Sequence, residues 1–248
     1  MQPLRLILLS GWGIDQRIWQ PLEAYWPTHL SSHAVEWPGY GDAPPLRANA
    51  TLEELADTMA EPLASDAVWV GWSLGGLLAT ALLAYLPPPR GLILLGAGET
   101  FCVKGEVSAK GGVTSAELSA FQRAFQRDPT ATWQHFLRWQ TQGEPGPRQV
   151  HRQLRDLLGD TPPADSPTLA TGLHWLATID NRPRLAAPPC PVVRLIGDHD
   201  PFISPAQRRV SKPLSDVGHC PMLSQPQALA ATIGHHAHQM VNATMAVL

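Results

Sequence analysis

This sequence of 248 residues has a small net charge, few cysteines and few long apolar stretches. The formal net charge is only -3, which gives no overall attraction to nucleic acid or to an anionic membrane surface. The three cysteines, Cys102, Cys190 and Cys220, are an odd number without CxxC spacing, so they predict neither a disulfide framework nor a zinc site. We therefore expect a protein of the reducing cytoplasm that has no nucleic-acid partner and no metal.

One stretch, residues 67–86, carries no charged side chain over a length that could cross a bilayer. Glycines interrupt it, and a β-rich part at residues 68–70 precedes a leucine-rich part at residues 77–83. A buried strand followed by a buried helix explains this pattern better than a membrane span. The N-terminal apolar run contains Arg5 and no small-residue cleavage pattern, which argues against a signal peptide. No membrane contact is expected.

Short apolar runs alternate with helical patterns in most of the chain, which is long enough for one well-filled core. The runs are Leu4–Leu9 and residues 34–37, 68–70, 92–95 and 192–196. This alternation predicts βαβ units, and hence an α/β fold with a mostly parallel sheet flanked by helices. A capping pattern, Thr51-x-x-Glu54, predicts a helix that continues to about Leu63.

Helical patterns replace the strand-like runs between residues 108 and 181. The helix starts read Thr114-x-x-Glu117, Asp128-Pro129 and Ser166-Pro167. Beyond this segment the strand pattern returns, followed by a helix from Ser204-Pro205 and a last helix after Pro226. We predict a core formed by residues 1–107 and 182–248, and a helical lid formed by residues 108–181.

Residues 71–75 read Gly-Trp-Ser-Leu-Gly and match the G-x-S-x-G nucleophile pattern. The motif lies between a short β run and a helix, where the turn is too tight for neighbouring side chains and strains the backbone of Ser73. The N–H groups at the start of the following helix would face a developing oxyanion. The alternative is a glycine-rich packing turn without chemistry.

A serine hydroxyl is a poor nucleophile at neutral pH and needs a neighbouring base. Among ten histidines His219 is the best placed, in a loop before the final helix and in the chain order Ser, Asp, His. Two acidic candidates follow the run at residues 192–196. Asp200 is favoured because it stands far enough round the turn to reach the histidine, whereas Asp198 is expected to cap the turn or face solvent.

Two backbone N–H groups complete the predicted catalytic machinery. Residues 10–13, Ser-Gly-Trp-Gly, follow the first strand and could bring the Trp12 N–H beside Ser73, while Leu74 would supply the second donor of an oxyanion hole. Trp12 could equally be a packing aromatic. Cys220 beside the base raises a thiol nucleophile as an alternative, which we discount because adjacent residues of an extended loop point in opposite directions.

Three further histidines, His235, His236 and His238, could suggest a metal site. No carboxylate or cysteine accompanies them at ligand spacing, so solvated helix positions are the expected explanation.

The serine motif and three further patterns of this chain resemble motifs of the α/β-hydrolase superfamily. The three patterns are Trp-Pro-Gly-Tyr-Gly at residues 37–41, Gly197-x-x-Asp200 and Gly218-His219-x-Pro221. Within this superfamily, residues 11–13, the serine motif and Phe-Leu-Arg-Trp-Gln-Thr at residues 136–141 resemble the pimeloyl-[acyl-carrier protein] methyl ester esterases of biotin synthesis. The resemblance implies hydrolysis, without a cofactor, of the methyl ester that masks the distal carboxylate of a carrier-bound pimeloyl chain.

The resemblance also implies a set of substrate contacts. They are Trp12, Ser73, Leu74, Phe136, Gln140, Arg148 and Arg152. The two arginines, with Arg155, recur along one face of a predicted lid helix and would hold the phosphopantetheine phosphate or the acidic carrier. The alternative is a solvated helix face paired with Asp156 or Glu144.

Ser10 stands where many relatives have a histidine, which leaves the hydrogen bonding of the oxyanion loop open. The same machinery would also serve a broad short-chain carboxylesterase, a thioesterase or a C–C bond hydrolase, because the fold does not select among them. A non-catalytic binding protein of this fold is the alternative from another class, and the complete triad argues against it. We expect a monomer.

Overall fold

The computed structural model describes residues 3–47, 49–103 and 111–245, with side chains as far as residue 242. The strands in chain order are β1 Leu4–Leu9, β2 Leu30–Val35, β3 Val68–Trp72, β4 Gly91–Leu95, β5 Cys102–Val103, β6 Val113–Thr114, β7 Val192–Gly197 and β8 Lys212–Leu214. Six of them form one sheet in the order β2-β1-β3-β4-β7-β8, in which all neighbours are parallel. The predicted α/β class with a mostly parallel sheet is confirmed.

Helices connect the strands. A 3₁₀ helix spans Gln16–Tyr25, and the α-helices are α1 Leu52–Met59, α2 Leu74–Leu82, α3 Ser115–Arg127, α4 Pro129–Gln140, α5 Pro147–Leu158, α6 Ser166–Thr178, α7 Arg182–Ala186, α8 Pro205–Arg209, α9 Pro221–Ser224 and α10 Pro226–Met245. Within the described part of the chain, no helix combines the length and the apolar character that crossing a bilayer requires.

Two element boundaries differ from the sequence prediction. The second strand is Leu30–Val35 rather than residues 34–37, because it lies at the edge of the sheet, where two of its six residues are exposed and two are half-buried, so polar residues are accepted there. Helix α1 has the predicted capping box but ends at Met59. Pro62 explains the early end, since proline lacks an N–H and disfavours helical backbone in the residue before it.

Helices α3 to α6 lie in the predicted lid segment, and with the loops between them they are called the insertion below. The predicted first lid residue, 108, lies outside the described residues. Strand-like structure does not vanish in this segment as expected, because Val113–Thr114 pairs in parallel with Cys102–Val103. Helix formation also continues past residue 181, into α7.

The centre of the sheet is fully covered. Every residue of β3 and β4 is buried, as expected for parallel strands with helices on both faces. Because neighbouring strands run in parallel, the loops after β1, β3, β4 and β7 leave the sheet at the same edge. Ligands of open parallel sheets bind at this edge, which makes it the place to look for a site.

Candidate active site

Ser73 occupies the turn between β3 and α2, with φ 56° and ψ -123°. A Cβ on Gly71 would lie 2.6 Å from the Gly76 Cα, and one on Gly75 would lie 2.5 Å from the Leu9 carbonyl oxygen. The turn therefore excludes side chains on both sides of the serine, as the motif predicts. A left-handed backbone at a residue other than glycine stores strain, and such strain concentrates at functional sites.

His219 lies in the loop between β8 and α9 and is 1% exposed. Its Nδ1 is 2.7 Å from the Asp200 Oδ2, and Asp200 is fully buried. The other carboxylate oxygen of Asp200 accepts the Phe202 N–H at 2.9 Å. Asp198, in contrast, is exposed and accepts the Asp216 N–H at 3.2 Å. The structure thus joins the favoured aspartate, and not its neighbour, to the histidine.

The histidine and the serine both lie beside the end of β4. The Ser73 N–H donates to the Leu95 carbonyl at the end of β4, and a Cβ on the next residue, Gly96, would be 2.9 Å from the His219 Nδ1. The Trp72 indole N–H donates to the His219 carbonyl at 2.8 Å. The buried His219 Nε2 has no hydrogen-bond partner among the described residues, Ser73 included. This nitrogen is therefore free to accept the proton of the Ser73 hydroxyl. Hydrogen bonds between a catalytic base and its nucleophile are often long without substrate and shorten when substrate binds.

The loop after β1 comes close to Ser73. A Cβ on Gly11 would lie 3.0 Å from the Ser73 Cβ and 3.5 Å from its Oγ. The backbone N–H groups of Trp12 and Leu74, the predicted oxyanion donors, take part in none of the hydrogen bonds found within the described part of the chain. Leu74 follows Ser73 in the sequence, and Trp12 lies in the loop that approaches Ser73. Both N–H groups are available to a ligand.

Ser10 is buried and integrated into this loop. Its hydroxyl donates to the Asp15 carbonyl at 3.1 Å and accepts the Trp19 indole N–H at 3.1 Å. Its own carbonyl accepts the Trp37 indole N–H at 2.9 Å. The hydrogen bonding that the sequence left open at this position is therefore satisfied by serine together with two tryptophans.

The insertion holds the same loop from the other side. The Trp133 indole N–H donates to the Gly13 carbonyl at 2.7 Å, and the Trp12 indole N–H donates to the Leu169 carbonyl at 2.8 Å. Gly172 packs against the Trp12 ring, where an added Cβ would lie 2.7 Å from its Cδ1. Trp12 is thus packed and hydrogen-bonded at once, and its backbone position depends on the insertion.

Aromatic side chains from the core and the insertion meet beside the histidine. Phe136, a predicted substrate contact, lies edge-on to Trp12 at 5.1 Å and stacks on Phe202 at 5.6 Å. Phe202 in turn lies edge-on to His219 at 4.7 Å. Phe136 and Trp12 also line a narrow apolar cavity of about 10 Å³. Its lining residues are Trp12, Phe101, Val113, Leu118, Phe121, Phe136, Trp139, Leu173 and Leu176.

Gln140, the other predicted contact on α4, is fully buried, and neither atom of its side-chain amide has a hydrogen-bond partner among the described residues. A larger cavity of about 130 Å³ lies between α6 and the loop after β2. Leu74 is in its wall, but the three residues of the predicted triad are not.

Arg148 and Arg152 are exposed on α5 and form no ion pair with the described residues. Arg155 pairs with Asp160 instead. The predicted alternative in which Glu144 pairs with this face is wrong, because the Glu144 carboxylate is buried and accepts hydrogen bonds from the His219 loop. Two unpaired cations therefore face solvent on the insertion.

Electrostatics argue against the thiol alternative at Cys220. Burial, together with the Glu144 and Asp200 carboxylates, raises the pKa of this thiol well above its usual value. The nucleophilic thiolate is therefore not populated near neutral pH. Burial likewise raises the pKa of the Tyr40 hydroxyl, which stays protonated and accepts the Gly13 N–H at 3.0 Å in the oxyanion loop.

Among the described residues, Asp198, His199 and Asp216 have ligand atoms within 4.8 Å of one another, but all three are exposed. His236, expected to be solvated, is buried on α10 and its Nδ1 lies 3.3 Å from the Gln239 Oε1. Packing of α10 on the sheet accounts for this difference.

Comparisons with known proteins agree with this geometry. A profile of the group described as "Alpha/beta hydrolase family" matches residues 6–232. The chain is 33% identical to a pimeloyl-[acyl-carrier protein] methyl ester esterase of Vibrio vulnificus over 80% of this chain and 76% of that protein. It is 31% identical to one of Klebsiella pneumoniae over 90% and 89%. An esterase from Exiguobacterium antarcticum has a similar fold, with a TM-score of 0.78 and 16% identity over 96% of this chain and 92% of that one.

Proposed function

This chain belongs to the alpha/beta hydrolase family, and from that premise we propose that it hydrolyses the methyl ester of pimeloyl-[acyl-carrier protein] in biotin synthesis. It is a carboxylic ester hydrolase. The observation that carries the proposed substrate is the identity of 31% and 33% to esterases of that name over most of the chain. The buried hydrogen bond between His219 and Asp200, beside the strained Ser73, supports the chemistry.

Acylation starts when the Ser73 Oγ attacks the ester carbonyl carbon and its proton passes to the His219 Nε2. The electron pair of the C=O bond moves to oxygen, where the Trp12 and Leu74 N–H groups stabilise the negative charge. Asp200 accepts the His219 Nδ1–H, which holds the tautomer that leaves Nε2 free and then stabilises the imidazolium.

Collapse of this intermediate breaks the bond to the methoxy oxygen, which takes the proton from Nε2 and leaves as methanol. Water then attacks the acyl-serine and gives one proton to the His219 Nε2. The second collapse breaks the bond to the Ser73 Oγ, which takes that proton back. The products are methanol and the pimeloyl carboxylic acid on its carrier, which releases its proton to solvent, and the enzyme returns to its starting state.

Substrate binding would use two surfaces of the insertion. The apolar wall that includes Phe136 and Trp12 suits the aliphatic chain of a pimeloyl group. Gln140 lies one helical turn beyond Phe136 on α4 and has an unsatisfied amide for a polar group of the substrate. The free cations Arg148 and Arg152 suit the phosphopantetheine phosphate or the acidic surface of the carrier.

A broad short-chain carboxylesterase is the second candidate function. The observation that favours it is the size of the apolar cavity, about 10 Å³, since a longer acyl chain enters only if the aromatic side chains around it rotate. A short acetyl group makes no such demand. Comparison of acyl-chain lengths therefore separates the two candidates.

We place the protein as a monomer in a reducing cytoplasm. All three cysteines are free. The large hydrophobic side chains found exposed in the described part of the chain, Tyr25, Tyr85 and Val210, are separated in sequence and are few. This distribution suits a chain without an obligate partner subunit.

The test is incubation of methyl pimeloyl-[acyl-carrier protein] with the wild-type enzyme and with Ser73→Ala, followed by mass spectrometry of the intact carrier and an assay for methanol. We expect the wild type to remove one methylene mass and to release an equal amount of methanol, while the variant does neither. A carrier that keeps its methyl ester, with p-nitrophenyl acetate still hydrolysed, would favour the short-chain esterase.

A further inference from the structure

Glu144 is a buried carboxylate to which the reaction described above gives no role. It lies in the loop between α4 and α5 and is 4% exposed. Its Oε1 accepts the Cys220 N–H at 2.5 Å, and its Oε2 accepts the Ser224 hydroxyl at 2.5 Å. Burying a carboxylate is costly unless hydrogen bonds compensate for lost water. Both compensating donors belong to the segment that begins with His219.

The loop that carries Glu144 also packs directly on backbone. A Cβ on Gly218 would lie 2.9 Å from the Glu144 Oε1 and 3.0 Å from the Gln142 carbonyl oxygen. A Cβ on Gly143 would overlap the carbonyl of His199, the residue before Asp200. Residues 142–144 of the insertion therefore touch the loops of both the base and its acidic partner, without room for a side chain between them.

His219 is consequently held at three points. Asp200 binds the ring Nδ1, Trp72 binds the carbonyl oxygen, and Glu144 binds the N–H of the next residue, Cys220. The first contact orients the ring, while the other two fix the backbone from which the ring projects. Two of the three come from the core and one comes from the insertion.

We propose that Glu144 is a positioning residue for the catalytic base, so that the insertion sets the rate of turnover as well as access to the site. This inference rests on the proposed role of His219. Removing the carboxylate leaves the Cys220 N–H without its partner in a buried place and lets the loop shift. A displacement of about 1 Å at a catalytic group can lower the rate by about a hundredfold.

The test compares Glu144→Ala with Glu144→Gln, using p-nitrophenyl acetate so that carrier binding has no influence. Glu144→Ala should lower kcat by roughly 10- to 100-fold, with KM almost unchanged, because alignment and not ground-state binding is lost. Glu144→Gln keeps an oxygen for the Cys220 N–H but loses the charge, so it should lower kcat by only a few-fold. The rate of Ser73 labelling by a fluorophosphonate should follow kcat in each variant.

Two matched variants separate positioning from general stability. Ser224→Ala removes only the second hydrogen bond and should have the smaller effect. Glu117→Ala removes another carboxylate of the insertion, which accepts the Thr114 N–H at 2.8 Å at the exposed start of α3. It should lower the unfolding temperature without changing kcat.

Unchanged kcat and labelling rate in folded Glu144→Ala overturns the inference, as does an equal loss of kcat in Glu117→Ala. If Glu144→Ala does not fold, Glu144→Gln decides, because the inference requires its kcat to fall by a few-fold at constant KM. A wild-type enzyme that neither hydrolyses esters nor labels at Ser73 would instead contradict the proposed function, whatever Glu144 does.

Discussion

The sheet and the insertion meet at one site, to which the sheet supplies the catalytic side chains and the insertion supplies contacts that hold their loops. Ser73, Asp200 and His219 all stand on loops that follow strands of the sheet. Trp133 and Glu144 reach the same loops from the insertion and hold them through backbone atoms. The reacting groups therefore belong to the core, whereas we infer that the insertion aligns them and forms the surface that meets the substrate.

The largest effect is expected at the core nucleophile. Ser73→Ala removes the attacking oxygen and should lower ester turnover by a factor on the order of a million. Both substrates, carrier-bound and small, should suffer alike, because both need the core. Steady-state rates measured beside thermal unfolding check this, and full activity of the folded variant contradicts the mechanism.

The next effect separates the two aspartates after β7. Asp200→Asn should lower turnover by about ten-thousand-fold, because the amide favours the wrong tautomer of His219 and does not stabilise its charge. Asp198→Asn is the matched control, and it should have little effect because Asp198 is exposed and contacts Asp216. Measuring kcat for both variants decides the assignment, and the reverse order of activities would overturn it.

A smaller effect, limited to one substrate, is expected from the outer face of the insertion. Changing Arg148 and Arg152 to Glu should raise KM for methyl pimeloyl-[acyl-carrier protein] by at least about a hundredfold, since two charge-assisted contacts are lost and each contributes about 1.5–3 kcal/mol when well formed. The loss should weaken at high salt because such contacts are screened. Hydrolysis of p-nitrophenyl acetate should not change.

The control for this pair is Arg90→Glu with Arg209→Glu, which makes the same charge change at exposed positions of the core. It should leave KM for the carrier-bound ester unaltered. An equal rise of KM in both double variants would mean that net charge, and not the insertion, governs carrier binding.

Some parts of this site could be predicted from the sequence alone, and others could not. The turn at Ser73 is determined by neighbouring residues in the sequence, because glycines on either side of the serine allow the tight backbone turn. Asp200 followed from its place after a strand. The partners from the insertion were not readable, since Glu144 and Cys220 are 76 positions apart and Trp133 and Gly13 are 120 apart.

Contacts at such separations depend on how the helices dock, which no local pattern encodes. The same holds for the ring of Phe202, which lies against His219 although no motif includes this residue. The second strand was misplaced for a related reason. Its edge position tolerates polar residues, so the apolar-run signal is strong only at its end.

The smallest effect concerns the free energy of unfolding and arises where Glu36, after β2, meets the start of the 3₁₀ helix. Both carboxylate oxygens of Glu36 lie 3.2 Å from the Gln16 N–H, and burial raises the pKa of Glu36 from 4.5 to about 7. The folded state therefore binds the proton more tightly than the unfolded state does. This contribution to stability is fully present below pH 4.5 and is lost as the pH rises through about 7.

Glu36→Gln should remove this loss, because the amide stays neutral. Relative to the wild type, the variant should gain about 1 kcal/mol between pH 4.5 and pH 8, a value reduced for solvent screening at a half-buried side chain. Urea unfolding at the two pH values measures it. A stability difference between the two proteins that is the same at both pH values would contradict the assignment.

Whether the insertion binds the carrier is measured by the ratio of kcat/KM for methyl pimeloyl-[acyl-carrier protein] to kcat/KM for free monomethyl pimelate. The two substrates present the same ester to Ser73 and differ only in what the insertion can bind. We expect the wild type to prefer the carrier-bound ester by at least about tenfold, and the Arg148 and Arg152 double variant to lose this preference. A ratio of one or less in the wild-type enzyme would contradict this expectation.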